Sequence, residues 1–343
     1  MRAPLLRPYA PRVDIREIDP YDEALLRRHW EIGYAAQDRH RPYNLHWPWE
    51  VARGLLQGGA PDSDFVLLGA FDGDRMCGAA DLDLPTRDNT HLVLGRVFAD
   101  PDRPRAGVGR ALVDALCDRV RDLGRRTVAG EVYAPPGGTS PGLELARAAG
   151  FAEVLEEQMK VVDLDATEHL WDALAEQAAK HHAGYRVVSW EDAAPPAYVD
   201  GLCRLQEAFN AEAPTGELDV EQEVWDEHRL RETEAMLRRI GRQVVTTVAV
   251  AADGDVVGFS TVGINATSSW RGMQSGTIVD PSHRGHRLGV AMKVANHRAI
   301  RTAHPETRVV FTSNAGVNAA MNAVNDRLGF QVVERAVAVQ RDL

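Results

Sequence analysis

The sequence of 343 residues is poor in cysteine and has no long apolar run. Its cysteines, Cys77, Cys117 and Cys203, are far apart and form no Cys-x-x-Cys pair, which argues against a disulfide framework and favours a reducing compartment. No stretch of about 18 apolar residues occurs, so no membrane span is expected. Residues 1–11 lack the apolar segment of a signal peptide. These absences predict a cytoplasmic protein.

An excess of positive charge is also missing, because the formal net charge is -11. An acidic chain binds nucleic acid and anionic membranes poorly, so neither is expected as a partner. The charge would suit a cationic or amine substrate. The sequence has no His-Glu-x-x-His motif and no cysteine cluster, so no metal site is predicted.

What the sequence does contain is an internal repeat of about 180 residues. Three landmarks recur at offsets of 181, 180 and 179 residues, namely Asp72-Gly73-Asp74 as Asp253-Gly254-Asp255, Asp100-Pro101 as Asp280-Pro281, and Gly150-Phe151 as Gly329-Phe330. Solenoid repeats run to about 50 residues, so a period of this length means two whole domains. The predicted bounds are 1–165 for the N-terminal domain (copy one), 166–183 for a linker helix and 184–343 for the C-terminal domain (copy two).

Both copies show the same predicted order of elements. An Asp-Gly turn between two apolar runs indicates a hairpin, and a further strand leads into a glycine-bearing turn and an amphipathic helix. Antiparallel strands followed by a βαβ unit predict an α+β fold with a mixed α/β sheet in each copy. The early stretch Tyr43 to Trp49 is expected to pack its aromatic rings on the core, with the lining of a substrate pocket as the alternative.

The turn before the amphipathic helix has the chemistry of a pyrophosphate site. It spans residues 100–109 in copy one and 280–289 in copy two, and each version combines glycines with arginines. Glycines let backbone N–H groups converge on one point, and the helix adds its positive N-terminal end. Glycine required only for tight packing of the turn is the alternative explanation.

On these residues the chain resembles the GNAT superfamily of acyl-CoA N-acyltransferases, whose cofactor motif is Gln/Arg-x-x-Gly-x-Gly/Ala. The match rests on Arg284, Leu288 and Gly289 in copy two and on Gly107, Val108 and Gly109 in copy one. The double arrangement is similar to tandem acetyltransferases of actinobacterial type, such as mycothiol synthases and antibiotic-cluster acetyltransferases. Both copies depart from the motif, since Pro104 replaces the Gln/Arg in copy one and Arg287 replaces the first glycine in copy two.

The resemblance implies acetyl-CoA, or another acyl-CoA, as the cofactor. The predicted contacts in copy one are Val97, Ala99, Arg103, Arg105, Ala106, Gly107, Val108, Gly109 and Arg110. Those in copy two are Ile278, Val279, Arg284, Gly285, His286, Arg287, Leu288, Gly289, Asn314 and Asn318. Copy two is favoured for the chemistry because it keeps Arg284 and is rich in amides.

Transfer of an acyl group from a thioester to an amine needs a base, a donor to the thioester oxygen and an acid for the thiolate. The tyrosine that often serves as the acid in the family is replaced by Ala146 in copy one and by Asn325 in copy two. Asn325 is predicted to orient the thioester or a water molecule, and Glu131 is predicted to be a base. Helix capping by the amides and simple exposure of Glu131 on its strand are the alternatives.

The resemblance therefore implies an N-acyltransferase that moves an acetyl or other short acyl group from CoA to a small-molecule amine. The missing tyrosine supports the alternative of a non-catalytic acyl-CoA-binding protein with a regulatory or structural role. A dinucleotide enzyme would need an early Gly-x-Gly-x-x-Gly followed by an acidic residue, and this is absent. A monomer or a homodimer is expected.

Overall fold

The computed structural model describes residues 13–39, 41–44, 46–103 and 106–343. The strands are β1 (Asp14–Glu17), β2 (Ser63–Asp72), β3 (Arg75–Pro85), β4 (Leu92–Ala99), β5 (Thr127–Ala134), β6 (Ala152–Asp163), β7 (Arg186–Glu191), β8 (Arg242–Val250), β9 (Val256–Asn265), β10 (Arg271–Val279), β11 (Val309–Ala315) and β12 (Gln331–Asp342). The helices are α1 (Glu23–Asp38), α2 (Trp49–Gly58), α3 (Val108–Asp122), α4 (Pro141–Ala148), α5 (Leu164–Thr167), α6 (Trp171–Ala179), α7 (Val199–Glu212), α8 (Glu227–Arg239), α9 (Leu288–Ala303) and α10 (Ala319–Arg327). Within these described ranges, no helix is both long and apolar enough to cross a membrane.

The prediction of a mixed sheet is confirmed, but the two copies share one sheet, which has twelve strands within the described residues in the order β1-β2-β3-β4-β5-β12-β6-β11-β10-β9-β8-β7. The neighbours β4 and β5 are parallel, as are β10 and β11, and the other neighbouring pairs are antiparallel. Both Asp-Gly-Asp landmarks form the predicted hairpins, β2–β3 and β8–β9. The sheet therefore repeats the same arrangement on either side of its centre.

The last strand of each copy is exchanged at that centre. β12 belongs to copy two by sequence but lies between β5 and β6, and β6 belongs to copy one but pairs with β11 of copy two. Val337 of β12 is 1% exposed and packs with Leu143 of α4 in the core of copy one. Each copy therefore completes its part of the sheet with a strand from the other copy. The domain bounds predicted at 165 and 184 describe the repeat in the sequence and stay predictions.

The connection between the copies is docked on copy two. It consists of α5, a short 3-10 turn and α6, which ends at Ala179 rather than running on as one helix to 183. Trp171 is 3% exposed and packs with Val294 and Ile300 of α9 in a hydrophobic cluster. The linker is thus part of the core of copy two.

Candidate active site

Each parallel strand pair separates after three residue pairs. β4 pairs with β5 from Leu92↔Thr127 to Leu94↔Ala129, although both strands continue well beyond. β10 and β11 likewise pair only from Arg271↔Val309 to Met273↔Phe311. Since the later parts of each pair do not bond to one another, the sheet has a gap at two equivalent places.

The gap in copy one opens into a cavity of about 1140 Å³. Its walls include the separated ends of β4 and β5, the start of α3 at Gly109, and Gly142 and Ala146 of α4. Ligand pockets of about 300–1,000 Å³ are typical for drug-sized molecules. This cavity therefore has room for an extended ligand and a second molecule beside it.

The turn at one end of this cavity suits a phosphate. The N-cap of α3 is Gly107, with a left-handed φ of 88°, and a Cβ added there would meet no atom within 4 Å. No side chain in the described part of the molecule caps the helix N-terminus, so its first N–H groups are open to an anion. Val108 is 1% exposed, so its backbone rather than its side chain is available.

The other predicted cofactor contacts of copy one divide into three groups. Val97 and Ala99 line the cavity, and Arg103 and Ala106 are exposed on the turn. The guanidinium of Arg110 is committed elsewhere, because it pairs with Asp114 at 2.9 Å and donates to the carbonyl oxygen of Ala148 at 2.9 Å.

Arg105 and Pro104 lie outside the described residues.

The turn of copy two is held by contacts within the protein. Arg284 pairs with Glu212 and donates from Nε to the carbonyl oxygen of Val279 at 3.0 Å. His286 Nδ1 lies 3.0 Å from the carbonyl oxygen of His181, in the segment that follows α6. Arg287 occupies the left-handed N-cap position, with a φ of 56°, where copy one has glycine. A non-glycine residue is rare in this conformation, and no side chain in the described residues caps α9 either. Copy two therefore differs from copy one in the bonds of Arg284 and His286 rather than in the backbone of the turn.

The remaining cofactor contacts predicted for copy two are partly buried and partly exposed, Gly285 being exposed and Gly289 half-buried. Ile278, Val279 and Leu288 pack in hydrophobic clusters, and Gly285 and Gly289 lie in the turn and first helical turn. Asn318 caps α10, since its Oδ1 accepts from the backbone N–H of Met321 at 3.1 Å. Asn318 therefore has the helix-capping role that the sequence offered as the alternative to a cofactor contact.

The asparagines of copy two form a hydrogen-bond network inside the protein. Asn325 donates to Asn314 Oδ1 at 2.9 Å, and Asn314 donates to Asn322 Oδ1 at 2.5 Å. Lys293 donates to Asn325 Oδ1 at 2.8 Å, and Lys160 donates to Asn322 Oδ1 at 2.7 Å. Asn325 is 0% exposed, so the structure argues against its predicted catalytic role and against a cofactor contact at Asn314, which is 6% exposed. The preference for copy two stays a prediction, and this burial is an observation against it.

The buried lysine of this network gives a stability prediction. Burial, followed by the charge of Lys160, lowers the pKa of Lys293 from 10.5 to about 7. Between these values the unfolded chain binds a proton that the folded protein lacks, so stability should rise with pH from about 7 towards 10.5. We expect Lys293→Met to reduce this rise, as measured by urea unfolding at pH 7 and pH 9.5. An identical pH dependence in both proteins would contradict the assignment.

The predicted base, Glu131, faces the cavity of copy one. Its side chain is accessible within the cavity but enclosed by protein, and this burial raises its pKa, while a hydrogen bond with Tyr133 partly offsets the rise. The pKa of the Tyr133 hydroxyl is also raised, mainly by burial and then by the charge of Glu131. A carboxylate with a raised pKa is a better proton acceptor, as a base requires.

Residues that the sequence did not single out complete this cluster. The Arg41 guanidinium lies 4.0 Å from the ring centroid of Tyr133 and pairs with both carboxylate oxygens of Glu334 at 2.7 and 2.8 Å. Glu334 belongs to the exchanged strand β12. His46 also lines the cavity, its Nδ1 has no hydrogen-bond partner among the described residues, and burial lowers its pKa to about 4.

The aromatic stretch near residue 43 indicates in the sequence one part of the cavity lining. Tyr43, His46 and Trp47 all line the cavity, so the pocket alternative applies to them. Glu334 gave no such signal, because it lies about 200 residues along the chain from Glu131 and reaches the cavity only through the strand exchange.

Comparison with known proteins agrees with this geometry. Residues 23–135 match the model of the acetyltransferase (GNAT) family. A solved tandem GNAT protein from the clavulanic acid biosynthesis pathway is 26% identical with a TM-score of 0.80, over 96% of this chain and 98% of that one. A GCN5-related N-acetyltransferase from Sphaerobacter thermophilus is 17% identical with a TM-score of 0.60, over 97% and 96% of the two chains. A comparison with curated proteins gives no match.

These findings support acyl transfer as the general activity, with acyl-CoA as the cofactor used by the family. The specific similarity to mycothiol synthases stays a prediction. Residues 23–135 therefore match the GNAT acetyltransferase family model, and over its whole length the chain has the fold of a tandem GNAT protein.

Proposed function

We propose that copy one is an N-acyltransferase site that uses acetyl-CoA or another short acyl-CoA, and that copy two is its structural partner. The observation that carries the proposal is the continuity of one cavity from the open N-terminus of α3, through the gap between β4 and β5, to Glu131. The equivalent places in copy two are taken by an internal network and by bonded turn residues.

The residues of copy one fit a CoA thioester. The backbone N–H groups of Gly107 to Gly109 would hold the pyrophosphate, and the separated parts of β4 and β5 would flank the pantetheine arm. When bound, the cofactor supplies a thioester carbonyl carbon that an amine can attack. The Arg103 side chain, which is exposed on the same turn, adds positive charge near the phosphates.

Glu131 is proposed as the base. Acylation would form a carbon–nitrogen bond and break the carbon–sulfur bond, the nitrogen would lose a proton, and CoA would leave as a thiolate that takes its proton from solvent. The Glu131 carboxylate takes this proton, and the Tyr133 hydroxyl donates to the carboxylate and keeps it ionised at a lower pH than burial alone would allow. The acceptor is proposed to be a small-molecule amine, because the wall formed by Arg41, Tyr43 and Trp47 encloses the cavity.

The non-catalytic alternative has one observation in its favour. Ala146 lines the cavity at the position of the family's acidic tyrosine, so no side-chain hydroxyl is available there. Release of the CoA thiol, measured over a panel of primary amines, separates the two. Acyl-CoA binding without thiol release for any amine would favour the non-catalytic function.

Two matched glycine variants test which copy binds the cofactor. Gly109 lines the cavity, and even a Cβ there would lie 2.9 Å from Leu145 Cδ2, so we expect Gly109→Trp to weaken acetyl-CoA binding at least about 100-fold. A Cβ at Gly289 meets its nearest atom, Val324 Cγ2, at 3.7 Å, and Gly289→Trp should leave binding unchanged. Calorimetric titration gives the affinities, and thermal unfolding confirms that both variants are folded. Loss of binding only in Gly289→Trp would assign the cofactor to copy two.

A further inference from the structure

One arginine of copy two reaches the cavity of copy one. Arg242 is the first residue of β8, and it lines the cavity together with Gly263 and Asn265 of β9. Its guanidinium lies directly over Gly263, since a Cβ added at that glycine would be only 2.4 Å from Arg242 Nε and 2.6 Å from Nη2. The absence of a side chain at Gly263 is therefore what allows the guanidinium to occupy this position.

The charge of Arg242 has no partner in the described part of the chain. No carboxylate there forms an ion pair with its guanidinium, and burial alone lowers its pKa. The contrast is Arg229, a buried arginine that pairs with Asp62 at 2.8 Å and with Asp88 at 2.6 Å. An enclosed cation without a counter-charge is costly, and proteins keep such groups chiefly where a ligand supplies the charge.

A second arginine and an unpaired amide lie beside Arg242. Arg271, the first residue of β10, lines the same cavity and donates to the carbonyl oxygens of Asn44 and, at 3.0 Å, His46, so carbonyl dipoles rather than a carboxylate hold it. Burial lowers its pKa as well. Asn265 lies opposite Arg242 in the register of β8 and β9, and its Oδ1 is buried without a hydrogen-bond partner among the described residues.

We infer that the acceptor amine also carries a carboxylate, which Arg242 and Arg271 of copy two bind while the amine is acylated in copy one. The planar guanidinium matches a carboxylate in geometry as well as in charge. The other arginines that line the cavity already have carboxylate partners, namely Arg39 with Asp102, Arg41 with Glu334 and Arg96 with Asp81. The inference rests on the proposed function of copy one, and it gives copy two a role in selecting the acceptor.

The kinetic test compares linear ω-amino acids of two to six carbons with alkylamines of the same length. Thiol release from acetyl-CoA gives kcat and KM for each. We expect the best amino acid to exceed its alkylamine in kcat/KM at least about tenfold, and Arg242→Gln to abolish this advantage through KM, since one hydrogen bond to a charged group is worth about that factor. Equal values for amino acid and alkylamine in the wild type would overturn the inference.

Two further variants distinguish the position of the Arg242 charge from the loss of a positive charge in general. Gly263→Val keeps Arg242 but forces its guanidinium away, so it should raise KM for amino acids as Arg242→Gln does and leave alkylamines unchanged. Arg308→Gln removes an arginine whose side chain is 68% exposed, and it should change neither substrate class. An equal loss in Arg242→Gln and Arg308→Gln would show a general charge effect and overturn the inference.

A binding experiment distinguishes failure of this inference from failure of the proposed function. Binding of butyrate and glutarate, followed by saturation-transfer NMR, needs no turnover, and it should be present in the wild type and in Glu131→Gln but lost in Arg242→Gln. That pattern without thiol release for any amine would reject the acyltransferase proposal and keep the carboxylate site. Turnover of alkylamines without carboxylate binding would keep the acyltransferase proposal and reject the carboxylate site. A penalty of Arg242→Gln confined to succinyl-CoA as donor would assign the carboxylate to the acyl group and overturn the inference for the acceptor.

Discussion

Replacing Glu131 by glutamine is expected to lower kcat about 100- to 10,000-fold, the range for loss of a positioned general base. Glutamine keeps the size and most contacts of the side chain but cannot take a proton from the amine. Because the raised pKa leaves Glu131 protonated at low pH, wild-type kcat should increase with pH as this carboxyl ionises, above the ordinary glutamate pKa of 4.5. The pH–rate profile of Glu131→Gln should lack that rising limb.

The matched variant for this prediction is Tyr133→Phe. Since the bond from Tyr133 lowers the pKa of Glu131, its removal should move the rising limb of kcat to higher pH without abolishing activity. The ionisation of the amine itself is common to all three enzymes and does not enter the comparison. A Glu131→Gln enzyme with an unchanged profile would show that another group, with His46 the next in the cavity, takes the proton.

Deleting β12 (residues 331–343) is expected to unfold both copies, although copy one keeps every residue of its own sequence. The deletion removes the strand that pairs with both β5 and β6 and exposes the core around Leu143. Loss of Val337 and Val339 alone costs roughly 3–6 kcal/mol, against the 5–15 kcal/mol that stabilises a typical domain. Circular dichroism and urea unfolding at pH 7 give the measurement.

The control for this deletion lies on the same strand. Val332 is 44% exposed, and Val332→Ala should leave the unfolding free energy within about 0.5 kcal/mol of the wild type. A truncated protein in which copy one still unfolds cooperatively as a monomer would show that β6 can complete that sheet unaided, and would contradict the strand exchange.

The elements with local signals could be predicted from the sequence. Asp72-Gly73-Asp74 specifies a tight hairpin by itself, and the helix after Gly107 carries its own amphipathic period. The strand exchange could not be predicted, because nothing local in β5, β6 and β12 decides which of them are neighbours. Pairing partners in a sheet are chosen by the packing of the whole chain.

The choice between the two copies is hard to make from the sequence for a related reason. Arg284 and the asparagines of copy two have the right chemistry, but the sequence does not show which polar groups are already bonded to one another. An open cavity depends on small side chains at distant positions. Gly142 and Ala146 leave space in copy one, whereas Met321 and Asn325 stand at the equivalent positions of copy two, 179 residues on. Arg242 could not be assigned to the site from the sequence either, because only the fold brings it to the cavity of copy one.

The exchanged strand also has a consequence for the route by which the chain folds. Contacts between β5 and β12 join residues that are about 200 positions apart, and such distant pairings form slowly because a long loop must close first. Until β12 docks, β5 and β6 present open edges to which other chains can add. We expect refolding to be slow and sensitive to protein concentration, with the catalytic cavity appearing only in the final step.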